Sequence, residues 1–503
     1  MQVRLSVDSN GAYSSTTSKW AEPPFPITIL FYFFEVTNAH SVQLNGEKPN
    51  LIERGPFGYT EVDKKYDIKF SDDHANVIFR NRKTYWFNAN ISCPDCTPDS
   101  MITIPNILLL SIVDMMKKQN IPPLERPIID VALRTIFKEK LFVQRSVREL
   151  LYEGYKDPIL DMIQKYPAIA HLLGNHTFPE RIAVFFKQNN TDDGLYKIVT
   201  GVGQENLDDL GEILEWKNMT MLPASWWGDT MARAINGTDG TIYRPFLDDH
   251  VYPRMFISQI CRSLFIEPVG SITAYDLPGL RFKLPVSVFD PALYENRGFC
   301  NPNDGGFYPS QKAGGCLPRG LLDISRCQPG NPPIVASLPH FLNSTADVID
   351  SVNGLQPSVD RHTTIIELEP TTGVLLRATR RIMISVKMPN YEDFPYLDRV
   401  KSVIVPVLWL NETAHIDAAT RDQLYNDLVK TMTIGRIICY ALAGVGAFLL
   451  CTGLVGLLVI IYERHTASQN VADDADPLRE DPVDSHGGSD NPALANVQQP
   501  IVA

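Results

Sequence analysis

Residues 1–25 contain no apolar core of the kind a signal peptide or anchor needs, and Ile27–Val36 is too short to span a bilayer and is broken by Glu35. The chain also lacks the common catalytic signatures: a Gly-x-Ser-x-Gly elbow, a His-Glu-x-x-His pair, a phosphate loop and a dinucleotide fingerprint. Its 10 histidines are scattered, and His340 in Leu-Pro-His-Phe reads as structural. An enzyme is therefore not expected, nor a cofactor or resident metal. A net charge of −12 argues against nucleic acid as a partner. No internal repeat is present.

What the chain does have is one long apolar run near its end. Ile437–Tyr462 carries no charged side chain and exceeds the roughly 20 apolar residues a spanning helix needs. This implies a large domain over 1–432, a transmembrane helix over 433–462, and an acidic, disordered cytoplasmic tail over 463–503. Beyond His465, Asp473, Asp474, Asp476, Glu480, Asp481, Asp484 and Asp490 face one Arg479. All the Asn-x-Ser/Thr acceptors lie before the span: Asn90, Asn175, Asn189, Asn218, Asn236, Asn343 and Asn411. Six of the 8 cysteines lie there too: Cys93, Cys96, Cys261, Cys300, Cys316 and Cys327. Both facts favour a lumenal or extracellular domain with disulfides over a cytosolic domain with free thiols. Such a domain needs an upstream element to start translocation, so a signal peptide or a first membrane helix ahead of residue 1 is expected, the alternative being a cytosolic domain with a tail anchor. Cys93-Pro-Asp-Cys96 stays open between a local disulfide, a redox pair and a zinc site.

Strand signals dominate the large domain. Ile29–Val36 is aromatic and β-branched. Arg381–Lys387 alternates as a half-buried strand, His362–Glu369 and Val374–Ala378 flank a turn at Pro370–Gly373, and Ser402–Leu410 reads as a strand in which Pro406 favours an edge or a bulge. Arg54–Tyr59 and Asn236–Gly240 look like turns. Over 101–172 the pattern becomes helical. Ile104, Ile107, Leu108, Ile112 and Met115 share one face; so do Ile129, Leu133, Ile136 and Phe137, with Asp130 and Arg134 on the other. Ser146-x-x-Glu149 reads as a capping box, and Asp157-Pro158 as an N-cap with proline at the first helical position.

Several segments, in order, resemble the class B scavenger receptors: Phe31–Asn38, Arg54–Tyr59, Val147–Leu151, Gly154–Pro158, Ile235–Gly240, Ile260–Ser263, Leu322–Cys327, Leu338–Phe341 and Val405–Glu412. The resemblance spans roughly residues 20–465. It implies an α+β fold: a β-rich, barrel-like ectodomain, an apical helical bundle at 101–172, an internal hydrophobic tunnel running from the apex toward the membrane, and two anchors, one at each terminus. It implies the pairs Cys261–Cys327 and Cys300–Cys316. It also implies a receptor that takes fatty acids, cholesterol or phospholipid, from lipoprotein particles among other carriers, and passes them to the membrane. Lys138, Lys140, Arg145 and Arg148 then become ligand-binding residues for an acidic lipid head, against the plainer reading of a solvated helix face. A lysosomal member of this family carries a hydrolase on its apical helices, which gives a second reading as a trafficking receptor. The histidine that makes that binding pH-sensitive is replaced here by Arg145. Localisation stays between plasma membrane and lysosome. Ala443 and Ala447, with nearby glycines, leave a small-residue face on the span for a second helix, the N-terminal anchor, against the plainer reading of ordinary glycine tolerance in membranes; a homo-oligomer is a separate expectation.

Overall fold

The computed structural model describes residues 3–118, 130, 131, 133, 135, 139–166, 178–203, 207–301, 307–311, 316–392, 394 and 397–473. They fall into two units, 1–427 and 428–503.

The first unit mixes helix and sheet. Its strands are β1 (Ile27–Val36), β2 (Leu51–Phe70), β3 (Asn76–Phe87), β4 (Met101–Pro105), β5 (Phe142–Ser146), β6 (Thr191–Val199), β7 (Ile213–Trp216) and β8 (Arg254–Ile257). They continue as β9 (Arg262–Phe265), β10 (Glu267–Ala274), β11 (Leu277–Lys283), β12 (Leu321–Asp323), β13 (Ile334–Ser337), β14 (Ile365–Leu368), β15 (Leu375–Met388) and β16 (Val403–His415). Twelve of these form one antiparallel sheet ordered β10-β11-β14-β15-β16-β1-β2-β3-β6-β7, with β13 beside β15 and β12 beside β13. Hairpin chemistry explains part of this order. Tyr275 and Asp276, both at positive φ, connect β10 to β11 in a two-residue loop of the kind that matches strand twist.

The centre of the sheet joins the two ends of the sequence. β1 lies between β2 and β16, with Ile29 opposite both Tyr59 and Glu412. Arg54–Tyr59 is no turn: it lies within β2, where the register against β1 shifts between Phe31 and Phe33. Gly55 has a φ of +145°, and a Cβ there would meet the Phe31 carbonyl oxygen at 2.7 Å, so a bulge in a long strand accounts for the glycine. Asn236–Gly240 does turn, with Gly237 and Gly240 at positive φ. Pro406 sits in a central strand, paired with Ser385 of β15 but beyond the last β1 pair at Leu408, and the register break at Ile384/Ser385 opposite it supplies the bulge. The two segments on either side of Ala378–Arg381 run on as one strand. β15 is covered on both faces rather than half-buried: Met383, Ser385 and Lys387 are sealed, and the Lys387 ammonium donates to Asp323 Oδ2 at 2.9 Å.

Within 101–172 the helical reading needs correction at its start. Ile104 belongs to β4, which pairs with β5; β-branched Ile102, Thr103 and Ile104 favour a strand despite their helical spacing to later residues. The helix Ile107–Lys118 begins only after Asn106, whose Oδ1 accepts from the Leu109 N–H. Glu149 accepts from the Ser146 N–H and hydroxyl, completing half of a capping box, but the segment it opens, Glu149–Glu153, is a π-helical turn. Asp157 caps Pro158–Lys165 through the Ile159 N–H. Asp130, placed on an outer face by its spacing from Arg134, is buried. Ile129, Arg134, Ile136, Phe137 and Lys138 lie outside the described residues.

Disulfides join Cys93 to Cys96, Cys261 to Cys327 and Cys300 to Cys316. The second closes a separation of 66 residues, for which loop-closure entropy gives on the order of 4 kcal/mol of stabilisation. Among its described residues the second unit carries the helix Thr431–Asp473, whose apolar stretch is long enough to cross a membrane.

Candidate functional site

The large sheet has an apolar face interrupted by charge. Directly paired residues point the same way, and alternate residues along a strand share a face. Register therefore places Ile27, Ile29 and Phe31 of β1 on one face with Tyr59, Glu61 and Asp63 of β2, Lys83 of β3, Arg380 of β15 and Glu412 of β16. Two cavities lie against this face, of about 350 and 320 Å³. The first is walled by groups such as Phe31, Ile104, Leu150, Tyr152, Phe185, Ile384 and Leu410. The second is walled by Trp20, Phe25, Ile27, Tyr243, Phe256, Leu375 and Ile416, and it reaches Thr420, Gln423 and Asp427, the last residues of the first unit. Both have the size and apolar character of ligand sites.

Lys83, Met255, Ile257, Gln259, Arg380 and Glu412 line both cavities. The charged members among them form a neck. Lys83 Nζ donates to Glu61 Oε1 at 2.6 Å and stands 3.6 Å from Asp63 Oδ2. Arg380 is paired with Glu412, its neighbour across the β15/β16 ladder. Asn81 Nδ2 donates to Asp63 Oδ2 at 3.3 Å. Behind the neck, Lys65 Nζ lies 3.7 Å from Asp239 Oδ2 and over the rings of Trp20 and Phe79, at 5.1 and 5.5 Å from their centroids. Asp239 and Asp193 also line the second cavity.

Burial acts on these groups unequally. It pushes the Glu61 carboxyl well above the usual carboxylate range, with Lys83 opposing it and Glu412 and Asp63 adding to it. Burial would raise Asp63 as well, but Lys83, a hydrogen bond shared with Glu61, and Lys65 outweigh it and hold Asp63 down to about 2. Burial would lower the Lys83 ammonium; Asp63 and Glu61 beside it overcome that and raise it. The neck thus has one carboxyl that favours its proton and one that favours its charge.

On the opposite face of β1 and β16 sits a second polar group. His340 Nε2 is 2.6 Å from Glu53 Oε2, which also accepts from Trp409 Nε1 at 3.0 Å. The His340 and His362 rings stack at 4.4 Å, and Tyr32 stacks on Trp409 at 4.2 Å. Burial, His340 and Arg361 push His362 down to about 4, and its Nε2 is buried with no hydrogen-bond partner.

The residues singled out from sequence do not gather at these cavities. Lys138 is outside the described residues, and Lys140 is exposed. The Arg145 guanidinium lies over the Tyr155 ring at 4.6 Å. Arg148 pairs with Asp99 at 2.8 Å and with Glu153 at 3.8 Å. Of the glycan acceptors, Asn90, Asn189 and Asn218 are exposed, Asn236, Asn343 and Asn411 are half-buried, and Asn175 is not described. Asn411 lies in β16 between two partner strands, with its Oδ1 buried. Sequence reasoning misses the neck residues although a signal exists. Glu61-Val-Asp-Lys-Lys65 alternates as a strand should, but with charge inward: Glu61, Asp63 and Lys65 are 1, 5 and 3% exposed while Val62 is 36% exposed.

Comparison with known proteins gives a family. The model for the CD36 family matches residues 3–457. Lysosome membrane protein 2 of Rattus norvegicus is 32% identical over 459 residues, covering 91% of this chain and 88% of that protein. Scavenger receptor class B member 1 of Sus scrofa is 28% identical over 442 residues, covering 88% and 81%.

Proposed function

The chain belongs to the CD36 family, and from that premise we propose that it is a membrane receptor whose two cavities form one passage for lipid. It is an integral membrane protein of the plasma or lysosomal membrane, as its relatives are. In this reading residues 1–432 stand outside the cytosol, closed into a barrel-like body with the helices of 101–172 at its apex. Residues 433–462 cross the bilayer and 463–503 face the cytoplasm. Asn90, Asn189 and Asn218, the exposed acceptors, carry glycans. Fatty acids, cholesterol or phospholipid from a carrier such as a lipoprotein particle enter the first cavity and leave through the second toward the membrane.

The observation that carries this reading is the shared wall. Two apolar cavities with six lining residues in common are adjacent chambers, and the second is bounded by Thr420, Gln423 and Asp427, just before the apolar helix in sequence. Withdrawing an acyl chain from water into such walls gains about 0.8 kcal/mol per CH₂, enough to hold a lipid without any polar contact.

The test is to fill the chambers. Ile384→Trp in the first and Ile416→Trp in the second should each abolish lipid uptake by cells expressing the full chain, and strip co-purifying lipid from the purified protein. Uptake unchanged in both variants at equal surface level would end the proposal.

A further inference from the structure

Among the described residues, the cations that line the second cavity are Lys19, Lys83 and Arg380. Two of them are answered by carboxylates: Lys83 by Glu61 and Asp63, Arg380 by Glu412. Lys19 differs. Its Nζ donates to Gln423 Oε1 at 2.8 Å, a neutral amide, and it makes no ion pair with any described residue. The carboxylates near it in sequence are engaged elsewhere. Glu22 is taken by Lys64 at 2.9 Å, and Asp422, beside Gln423, by Arg421 at 2.6 Å. Asp427 lines the same cavity but is exposed, where water screens its charge.

Two short helices fix where this cation stands. The helix Ser15–Ala21 opens on Ser14, whose side chain accepts from the Thr17 N–H; it sends Trp20 into the core and leaves Lys19 half-buried. The helix Ala418–Leu424 opens on Asp417, which accepts from the Thr420 N–H, and it brings Gln423 to Lys19. The pair frames the end at which the cavity reaches the surface, since Asp427 lies there exposed. Inward of Lys19 the wall is apolar, with Trp20, Phe25, Ile27 and Ile416. An apolar slot with one cation at its rim suits an amphiphile with an acidic head. An ammonium has three N–H donors and Gln423 takes one, so a carboxylate meets both free donors and an opposite charge. At the rim it keeps water on one side and avoids the cost of full burial. A hydroxyl head brings no charge for Lys19 to meet, and a cationic head is repelled.

We propose that Lys19 seats the carboxylate of a fatty acid at the surface end of the second cavity, with the acyl chain lying inward along the apolar wall. The seat rests on the reading of the two cavities as a lipid passage, and it adds an orientation and a preference to that reading. The walls hold any acyl chain by its length. Lys19 distinguishes one head from another, because a charge is offered there that no protein group has already met.

Two probes with the same sixteen-carbon chain test this, one a carboxylic acid and one an alcohol, each with a diazirine on the carbon next to the head. Both are photolysed with the full chain in phosphatidylcholine nanodiscs, and the labelled peptides are mapped by mass spectrometry. The acid should label Thr16, Pro23 or Gln423 at the rim at least about tenfold more than the alcohol does. Lys19→Met should bring the acid down to the level of the alcohol there and leave the alcohol unchanged, and Lys19→Arg should restore the difference. Both probes should still label inner walls such as Ile384 in every variant. Equal rim labelling by acid and alcohol in the unaltered protein, or an excess of acid that survives Lys19→Met, would overturn the seat and leave the passage standing. Absence of both probes from every cavity residue would overturn the passage, and the seat with it. The comparison within the unaltered protein holds even if a variant fails to fold.

Discussion

Two polar groups lean on the same central strands from opposite sides, and they could hardly be used more differently. The neck faces open space: Lys83 and Arg380 keep 21 and 32% of their side-chain surface, and both line the cavities. Around Glu53 it is the histidines that face packed protein, while Glu53 itself keeps 24% of its side-chain surface. His340 and His362 are 4 and 0% exposed, their rings stack on each other, and Trp409 closes the remaining side. One sets two carboxyls, Glu61 and Asp63, around the Lys83 ammonium and a third, Glu412, on Arg380. The other contains a single carboxylate with donors on both sides. Charge placed beside a cavity stays open to whatever enters it, whereas the paired histidines are held by stacked rings.

The comparison is most exposed to a change at Lys83. Lys83→Met leaves Glu61 and Asp63 buried without their shared cation and should cost about 3 kcal/mol of unfolding free energy in denaturant titration. Glu61→Gln should cost much less, because a carboxyl that already favours its proton loses little when made an amide. Comparable losses from both would mean that the neck is an ordinary structural ion pair. On the opposite face, Glu53→Ala removes the acceptor for His340 and Trp409 together and should cost about 2 kcal/mol, read from the same titration.

Acid sharpens the contrast further. His362 is held down to about 4 by burial, by His340 and by Arg361, with Arg381 adding to this and Glu53 opposing it. An unfolded histidine titrates near 6.5, so between those values the unfolded chain binds the extra proton. Its contribution is neutral above about 6.5. It becomes destabilising as pH falls and is complete below about 4. His362→Gln should flatten the slope of unfolding free energy against pH across that window, and an unchanged slope would remove His362 from the account. The smallest effect is expected outside both groups. Arg148 and Asp99 are 41 and 74% exposed, so Arg148→Ala should change stability by less than about 1 kcal/mol.

The sheet is legible in the sequence where apolar residues face inward. β1 announces itself through Phe31, Phe33 and Phe34, and Pro406 correctly signals a bulge. The neck is not legible, because its strand reverses the usual assignment: Val62 outward, Glu61 and Asp63 inward. Such a pattern makes sense only when a cavity lies on the inner side, and a cavity is a property of several strands at once. Lys83 is 20 residues from Asp63 and Arg380 is 32 from Glu412, so nothing local pairs them. The basic residues near Arg145 attract attention for the opposite reason: a cluster in sequence is easily seen, yet Arg145 covers Tyr155 and Arg148 answers Asp99. At 104 a helical spacing deceives, because β-branched residues at the same positions serve a strand better.

The position of β1 has a consequence for synthesis. Its neighbour β2 emerges within a few residues, but its other neighbour, β16, begins roughly 370 residues later, a delay on the order of tens of seconds at translation speeds of about 5–20 residues per second. Throughout that interval a strand rich in phenylalanine presents an unsatisfied backbone edge, the kind of template on which nascent chains stick to one another. The newborn polypeptide must therefore be shielded until β16 emerges, and shortening it anywhere before residue 415 should yield aggregates in place of a smaller folded protein.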